Sequence, residues 1–141
     1  WEGYQAALDE AGVPFRPELV VHGDWTRQGG RAAMARLLAQ PDRPAAVFCA
    51  NDLMAIGAMD AAREAGLRIP DDLRLAGFDD IEAATLVSPA LTTVRNPSYD
   101  TGRTAGELLL SRMSGEHTEG QRTVVLPSRL IVRGSSEVRP G

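Results

Sequence analysis

Apolar residues along the chain alternate between two kinds of spacing. Runs at helical spacing over 1–11, 26–40, 51–65 and 99–113 predict four helices, because positions three and four apart share one helix face. Short continuous apolar runs predict the strands, at 19–21, 45–50, 73–78 and 91–94, with two further short runs inside 123–132. Alternation of this kind favours right-handed crossovers and an α/β fold with a parallel sheet flanked by helices.

Local signals refine this picture. Asn51 precedes the third helix as an N-cap, and Gly66 supplies its left-handed stop. The uninterrupted apolar run 45–50 is typical of a strand buried on both faces of a parallel sheet. Residues 81–90 are predicted as irregular or a short helix, and 135–141 as a frayed tail.

Composition narrows the class of protein. A chain of 141 residues with 43% hydrophobic residues has the length of one ordinary domain and is not disordered. No apolar run approaches the roughly 20 residues that a membrane-spanning helix needs, so we expect no membrane contact. A net charge of −4 argues against binding of this segment to the phosphate backbone of a nucleic acid.

The sequence gives no reason to expect a metal, a cofactor or catalysis. One cysteine, Cys49, lies in an apolar run, and His22 and His117 have no partner at metal-ligand spacing. The glycine-rich stretches lack a nucleotide-binding context, and no nucleophile elbow is present. The acid pairs 71–72 and 79–80 are adjacent in sequence and so cannot face each other across a glycosidic bond.

Polar or aromatic residues follow three successive predicted strands. Trp25, Asn51 and Asp79 come just after them, each beside an Asp that we interpret as a turn or cap residue. Because ligands of open parallel sheets bind beyond the carboxyl ends of the strands, we expect these three residues to share one crevice. A carboxylate and an amide can each bridge neighbouring hydroxyls, and an indole face can cover a sugar ring. The set therefore predicts a sugar site.

Each of these residues also has a simpler interpretation. Asn51 can be only a helix cap, Asp79 only a turn carboxylate, and Trp25 only a packing aromatic.

Five segments in a fixed order carry a resemblance to the LacI/GalR family of bacterial transcriptional regulators. The segments are AVFCANDLMAIGAM (46–59), GLRIPDDL (66–73), AGFDD (76–80), SPALTTV (88–94) and LIVRGSS (130–136). The resemblance covers essentially the whole chain. It implies a periplasmic-binding-protein-like type I fold, comprising the C-terminal lobe and pieces of the N-terminal lobe.

The resemblance also implies a domain organisation. Residues 1–95 would form the C-terminal lobe of an effector domain without its first strand. Residues 96–121 would form the hinge crossover and a helix of the other lobe, and 122–141 the return strands and tail. We expect the helix-turn-helix and most of the N-terminal lobe to be absent, and the isolated chain to self-associate or to be poorly stable.

The site residues that the resemblance implies include the crevice set. Trp25, Asn51 and Asp79 fall where the family contacts its effector, and Asn96 falls where a polar side chain reaches the ligand from the hinge. The family also implies a homodimer.

Interface candidates are Ile56 and Met59 on the third helix, with the segment 81–87. The alternative is that Ile56 and Met59 are core residues, because apolar helix faces more often meet their own sheet.

The expected function is effector sensing, for a ligand that we predict to be a sugar, in a cytoplasmic regulator that binds operator DNA through a separate helix-turn-helix. Ligand-driven closure of the lobes would control DNA binding, and no bond would be made or broken. Two alternatives remain open, namely a sugar-binding protein of an ABC transport system and a carbohydrate-active enzyme.

Overall fold

A computed structural model describes residues 1–116 and 120–137 of the chain. The helices are α1 (Glu2–Glu10), α2 (Arg27–Leu38), α3 (Asp52–Glu64), α4 (Ala83–Leu86) and α5 (Ser98–Met113), with a 3-10 turn at Pro17–Leu19. The strands are β1 (Ala46–Phe48), β2 (Arg74–Asp79), β3 (Thr92–Arg95) and β4 (Arg129–Ile131). The predicted α/β class is confirmed, and all four predicted helices form.

The sheet is open and mixed. Its strand order is β1-β2-β3-β4, with β1, β2 and β3 parallel and β4 antiparallel to β3. The parallel arrangement predicted from the alternation therefore holds for three strands. Of the two runs predicted inside 123–132, only the second forms a strand, and residues 121–128, which the structure describes, are irregular.

The strand predicted at 19–21 does not form. Local hydrogen bonds from the Leu19 and Val20 amides to Arg16 and Pro17 make a 3-10 turn there instead. The sheet begins with β1, and in the described part of the chain no strand pairs with the segment 20–24. β propensity cannot make a strand without a neighbour to share its backbone hydrogen bonds.

The core lies between the sheet and the α2–α3 pair. Its central members are Met34 and Leu37 of α2 and the inner face of α3, with Leu73 and Leu75 at β2. Ile56 and Met59 belong to this cluster, at 4% and 0% exposure. Their assignment to an outer, dimer-forming face is therefore wrong, because both side chains are buried within the core of the chain itself.

Glycine allows α2 and α3 to lie in close contact. A Cβ at Gly57 would collide with the Arg27 carbonyl and the Arg31 amide, and one at Gly30 would collide with the backbone of Met54. Ion pairs flank this contact, from Arg27 to Asp60 at 2.7 Å and from Arg31 to Glu64 at 2.8 Å. Both arginine side chains are well exposed, so these pairs add little stability compared with the packing beneath them.

The sheet is exposed at its β1 edge. Phe48 of β1 is 55% exposed, so the prediction of a strand buried on both faces is wrong. Neither α1 nor α5 contains a buried residue. Large apolar side chains, including Leu109, Leu110 and Met113 of α5, remain open to solvent.

This exposure predicts association of the isolated chain, since contiguous apolar patches are rare on monomers. The 15.1 kDa chain should elute from size-exclusion chromatography with light scattering at a mass above that of the monomer. The double variant Leu109→Gln, Leu110→Gln should shift the mass towards the monomer, whereas the same pair of changes at the polar positions Arg103 and Glu107 should not. A wild-type chain that stays monomeric at every concentration contradicts this expectation.

The C-terminal segment is anchored rather than frayed at its start. Ser135 is fully buried, and its hydroxyl donates to the Leu75 carbonyl at 2.6 Å and accepts from the Thr92 amide at 2.8 Å. Its backbone bonds to Leu75 and Ala90. The prediction of a frayed tail from residue 135 is therefore wrong at Ser135, while 138–141 and His117 lie outside the described residues.

Candidate functional site

Strand register brings three of the four predicted residues to one edge of the sheet. Phe48 of β1 lies opposite Ala76 of β2, so Asn51 and Asp79, each three residues further along, follow neighbouring parallel strands in step. Asp79 in turn lies opposite Arg95 of β3, and Asn96 is the next residue. Asn51, Asp79 and Asn96 therefore occupy the carboxyl end of three adjacent strands, where ligands of open sheets bind.

Trp25 joins this edge through a direct hydrogen bond. The Asn51 side chain donates from Nδ2 to the Trp25 carbonyl at 3.0 Å. The indole itself is 65% exposed. Asn51 thus ties the loop before α2 to the start of α3, although 26 residues separate the two in sequence.

Asn51 combines capping with spare bonding capacity. Its Oδ1 accepts from the Met54 amide at 2.8 Å, which confirms the predicted N-cap of α3. A primary amide offers two N–H groups and two lone pairs. One donor and one lone pair remain after the bonds to Trp25 and Met54. The cap interpretation and a ligand-binding role are therefore compatible.

Asp79 is exposed and ends β2 with a left-handed backbone, at φ 113°. Neighbouring atoms still desolvate the carboxyl in part, and this desolvation, followed by the charge of Asp52, raises the pKa of Asp79 above the ordinary value.

Backbone strain is concentrated at this edge. Among the described residues, the non-glycine positions with positive φ are Trp25 at 67°, Asp79 at 113° and Asp80 at 57°. Each such residue costs of the order of 1–3 kcal/mol, and they persist only where surrounding contacts hold them in place. Two of the three are residues that the sequence predicted to contact a ligand.

A buried carboxyl group supports the edge from below. Asp52, 1% exposed, accepts from the Thr93 hydroxyl at 2.6 Å and from the Ile81 amide at 3.0 Å. The Thr93 Oγ1 also accepts from the Asp80 amide at 3.3 Å. Asp52 thus joins the start of α3 to β3 and to the loop after β2. Its interpretation as a cap or turn residue is wrong, because Asn51 caps α3 and Asp52 is a buried residue of the helix itself.

Asp80 is held by two arginines. Arg95 Nε donates to Oδ2 at 2.6 Å, and Arg133 Nη2 donates to Oδ1 at 2.6 Å. Burial by itself raises the pKa of Asp80, but the hydrogen bonds and charges of Arg133 and Arg95 outweigh burial and leave the pKa below its ordinary value. Asp80 is a structural carboxylate, as predicted, but it belongs to an ion-pair cluster and not merely to a turn.

Sequence reasoning missed the two arginines. Arg95 directly follows a recognised apolar run, so its place at a strand end could have been found. Arg133 is 53 residues from Asp80 in sequence, and no local signal could have paired them. Asp24, predicted as a turn residue, accepts from the amide and hydroxyl of Thr26, and these bonds hold the pKa of Asp24 below its ordinary value.

The described residues give little support for metal binding, membrane insertion or a reactive thiol. It contains no group of three or more His, Cys, Asp or Glu residues that could hold a metal, and no helix there has the length and apolarity to cross a membrane. Burial, followed by the charge of Asp52, raises the pKa of the Cys49 thiol to about 12, so this group stays protonated at neutral pH. A shallow groove of about 510 Å³ lies on α2 and α3 and includes none of the four predicted ligand residues.

Comparison with known proteins agrees with this architecture. The model of the periplasmic binding protein-like domain matches residues 2–136. The chain belongs to this family. The chain is also similar to LacI-family repressors, which confirms the resemblance drawn from its motifs.

Among curated relatives, the chain is 41% identical over 139 residues to the HTH-type transcriptional repressor CytR of Escherichia coli strain K12, covering 99% of the chain and 40% of the relative. It is 45% identical over 133 residues to the HTH-type transcriptional repressor PurR of Erwinia tasmaniensis, covering 94% of the chain and 39% of the relative. The chain thus spans about two fifths of the length of these relatives.

Among solved structures, the chain superposes on a complex of the transcriptional regulator CelR with cellobiose. The TM-score is 0.91 at 40% identity, covering 95% of this chain and 41% of the other. A LacI-family regulator from Enterococcus faecium with bound ribose gives a TM-score of 0.85 at 32% identity, covering 96% and 49%.

Proposed function

We propose that this domain senses a small hydroxylated effector, a sugar or a sugar-bearing molecule, on behalf of a LacI-type transcriptional regulator. The supporting observation is the shared sheet edge, where an amide, a carboxylate and an exposed indole follow neighbouring elements of this family's fold. Cellobiose and ribose in structurally similar proteins support the ligand class.

Each residue has a distinct role in the proposal. Asp79 accepts hydrogen bonds from ligand hydroxyls, and Asn51 adds its spare donor and acceptor. Trp25 covers the apolar face of the ring, and Asn96 approaches from the hinge side. A site built this way rejects molecules that lack the hydroxyls, because its polar groups would then be desolvated without partners.

The proposed mechanism is a population shift in the longer protein. The ligand bridges this lobe to a second lobe, of which residues 96–121 would form the crossover and one helix, while 122–141 return to this lobe. Closure changes the spacing of paired DNA-binding heads. A ligand can shift this equilibrium only by its difference in affinity for the two states, typically about 1–3 kcal/mol. In this proposal the protein is a cytoplasmic homodimer, it binds operator DNA through a helix-turn-helix, and it performs no catalysis.

The dimer contact proposed here is the segment 81–87. Leu86 of α4 is 76% exposed and is therefore free to take part in such a contact.

A thermal-shift screen of the full-length protein against common sugars and purines tests the proposal. An effector that binds the folded state raises the melting temperature, by an amount set by its concentration relative to Kd. A helix-turn-helix ahead of this chain in the gene would support the regulator, whereas a secretory signal there would favour the sugar-binding protein of a transport system. Turnover of a glycoside by the full-length protein would contradict the proposal that it is no enzyme.

Asp79→Ala in the full-length protein should weaken effector binding by roughly 1–3 kcal/mol, because a carboxylate acceptor is lost. Wild-type affinity should also fall as pH is lowered, and at a higher pH than for an ordinary aspartate, since the pKa of Asp79 is raised and binding needs the ionised form. Calorimetric titration measures both effects. Asp42→Ala is the matched control, since that side chain is 84% exposed and precedes the amino end of β1, whereas the predicted ligand residues follow the carboxyl ends of the strands. Equal affinity of the Asp79→Ala protein and the wild type would remove Asp79 from the site.

A further inference from the structure

We propose that Arg133 is a positioning residue for effector binding, and that it fixes the orientation of Asp79 by clamping the neighbouring Asp80. The inference rests on the proposed function, because it takes Asp79 to be the carboxylate that contacts the ligand. Arg133 itself lies outside the set of ligand contacts.

The turn after β2 needs external support. Asp79 and Asp80 are consecutive residues with positive φ, at 113° and 57°. Two such residues in a row cost free energy that the turn itself does not recover. The orientation of the Asp79 carboxyl is therefore set by whatever holds the next residues.

The Asp80 side chain is the most strongly held group of that turn. It is only 6% exposed, and each of its two oxygens accepts from a different guanidinium at 2.6 Å. Arg95 is 58% exposed, while Arg133 is 16% exposed. Solvent screens the exposed Arg95–Asp80 pair more than the Arg133–Asp80 pair. The bond from Arg133 therefore contributes the larger part of the restraint on the Asp80 side chain.

Arg133 is itself well placed to act as a fixed clamp. Its backbone amide donates to Thr92 Oγ1 at 2.8 Å, and its carbonyl accepts from the same hydroxyl at 2.9 Å. Its other terminal nitrogen, Nη1, donates to the Leu91 carbonyl at 2.9 Å. One guanidinium therefore spans from the residue before β3 to the carboxyl end of β2.

The clamp comes from a distant part of the chain. Arg133 lies two residues after β4, the antiparallel strand that follows α5 and the irregular residues 121–128. The position of β4 is thereby connected to the orientation of Asp79. A shift of this return segment would change the ligand site without touching a ligand contact.

The test uses the full-length protein with Arg133→Ala, Arg133→Lys, Arg95→Ala and Ser135→Ala. Ser135→Ala is the matched control, since it removes buried hydrogen bonds from the same segment, to Leu75 and Thr92, but does not touch Asp80. Both Arg133→Ala and Ser135→Ala are expected to lower the melting temperature. Local readouts therefore have to separate positioning from stability.

Hydrogen–deuterium exchange of peptides that span 79–82 is the ligand-free readout. Arg133→Ala should speed exchange there by about fivefold or more, because the Asp80 and Ile81 amides lose the restraint on their turn. Ser135→Ala should leave these peptides at the wild-type rate. Arg133→Lys should partly restore protection, and Arg95→Ala should give a smaller increase. Unchanged exchange in Arg133→Ala, or an equal increase in Ser135→Ala, overturns the inference.

Binding of cellobiose, lactose and D-ribose is the second readout. For any of these that binds the wild type, Arg133→Ala should raise Kd about tenfold, and Ser135→Ala should leave it unchanged. If Asp79→Ala does not weaken binding, the proposed contact between Asp79 and the ligand fails, and the positioning role fails with it. If Asp79→Ala weakens binding but Arg133→Ala does not, only the positioning role fails. If none of the three sugars binds, the exchange result alone decides whether Arg133 holds the turn at 79–82.

Discussion

Asp52→Ala is expected to destabilise the protein by about 3–5 kcal/mol, because it leaves two buried donors without partners. The Thr93 hydroxyl and the Ile81 amide both donate to Asp52, whose side chain is 1% exposed. These two bonds join three elements, α3, β3 and the loop after β2. Chemical denaturation of the full-length protein monitored by circular dichroism measures the loss.

Asp100→Ala is the matched control for this change. Asp52 and Asp100 both stand in the first turn of a helix, of α3 and α5 respectively. Asp100 is exposed and, within the described residues, pairs with Arg103 of its own helix at 3.6 Å, so its loss should cost under about 1 kcal/mol. Asp52→Asn keeps one acceptor and should give an intermediate loss. Equal effects of the two alanine substitutions would show that Asp52 acts only through its helix.

Gly57→Ala is expected to destabilise the protein by about 2–3 kcal/mol, although alanine favours an isolated helix by up to about 1 kcal/mol. The added Cβ would collide with the Arg27 carbonyl and the Arg31 amide of α2. These are backbone atoms, so relief requires the two helices to move apart and opens the core beneath them. Denaturant unfolding should show a lower midpoint.

Gly102→Ala is the control that separates the effect of the α2–α3 contact from the effect of helix propensity. Gly102 lies inside α5, and an added Cβ there meets nothing within 4 Å. This change should leave stability unchanged or raise it by up to about 1 kcal/mol, through helix propensity alone. Opposite signs for the two glycine substitutions are the expected result. A stabilising Gly57→Ala would mean that α2 and α3 are not in tight contact.

The candidate site was predictable because it depends on strand ends. Asn51 and Asp79 each follow an apolar run, and parallel register alone places such residues side by side. The same rule placed Trp25 at this edge, after a strand predicted at 19–21, but that strand does not form. Its position depends instead on the hydrogen bond from Asn51, which sequence spacing does not reveal.

Burial was harder to predict than element type. Ile56 and Met59 share the helical spacing that both a core face and an interface face would show, and only packing against α2 and the sheet decides that they are core. Phe48 shows the converse, since its apolar neighbours predicted burial but its side chain is 55% exposed at the edge of the sheet. Periodicity reports which residues share a face, but not what that face meets.

The sequence by itself determined the alternation of helices and strands, the cap at Asn51, the polar residues that end the strands, and the family. These follow from short-range rules, in which each signal lies within a few residues of what it specifies. Only the tertiary structure decided that Arg133 clamps Asp80, that Asp52 bonds to Thr93, and that Ser135 is buried. Those contacts join residues 41 to 60 positions apart, and their partners are chosen by how the elements pack.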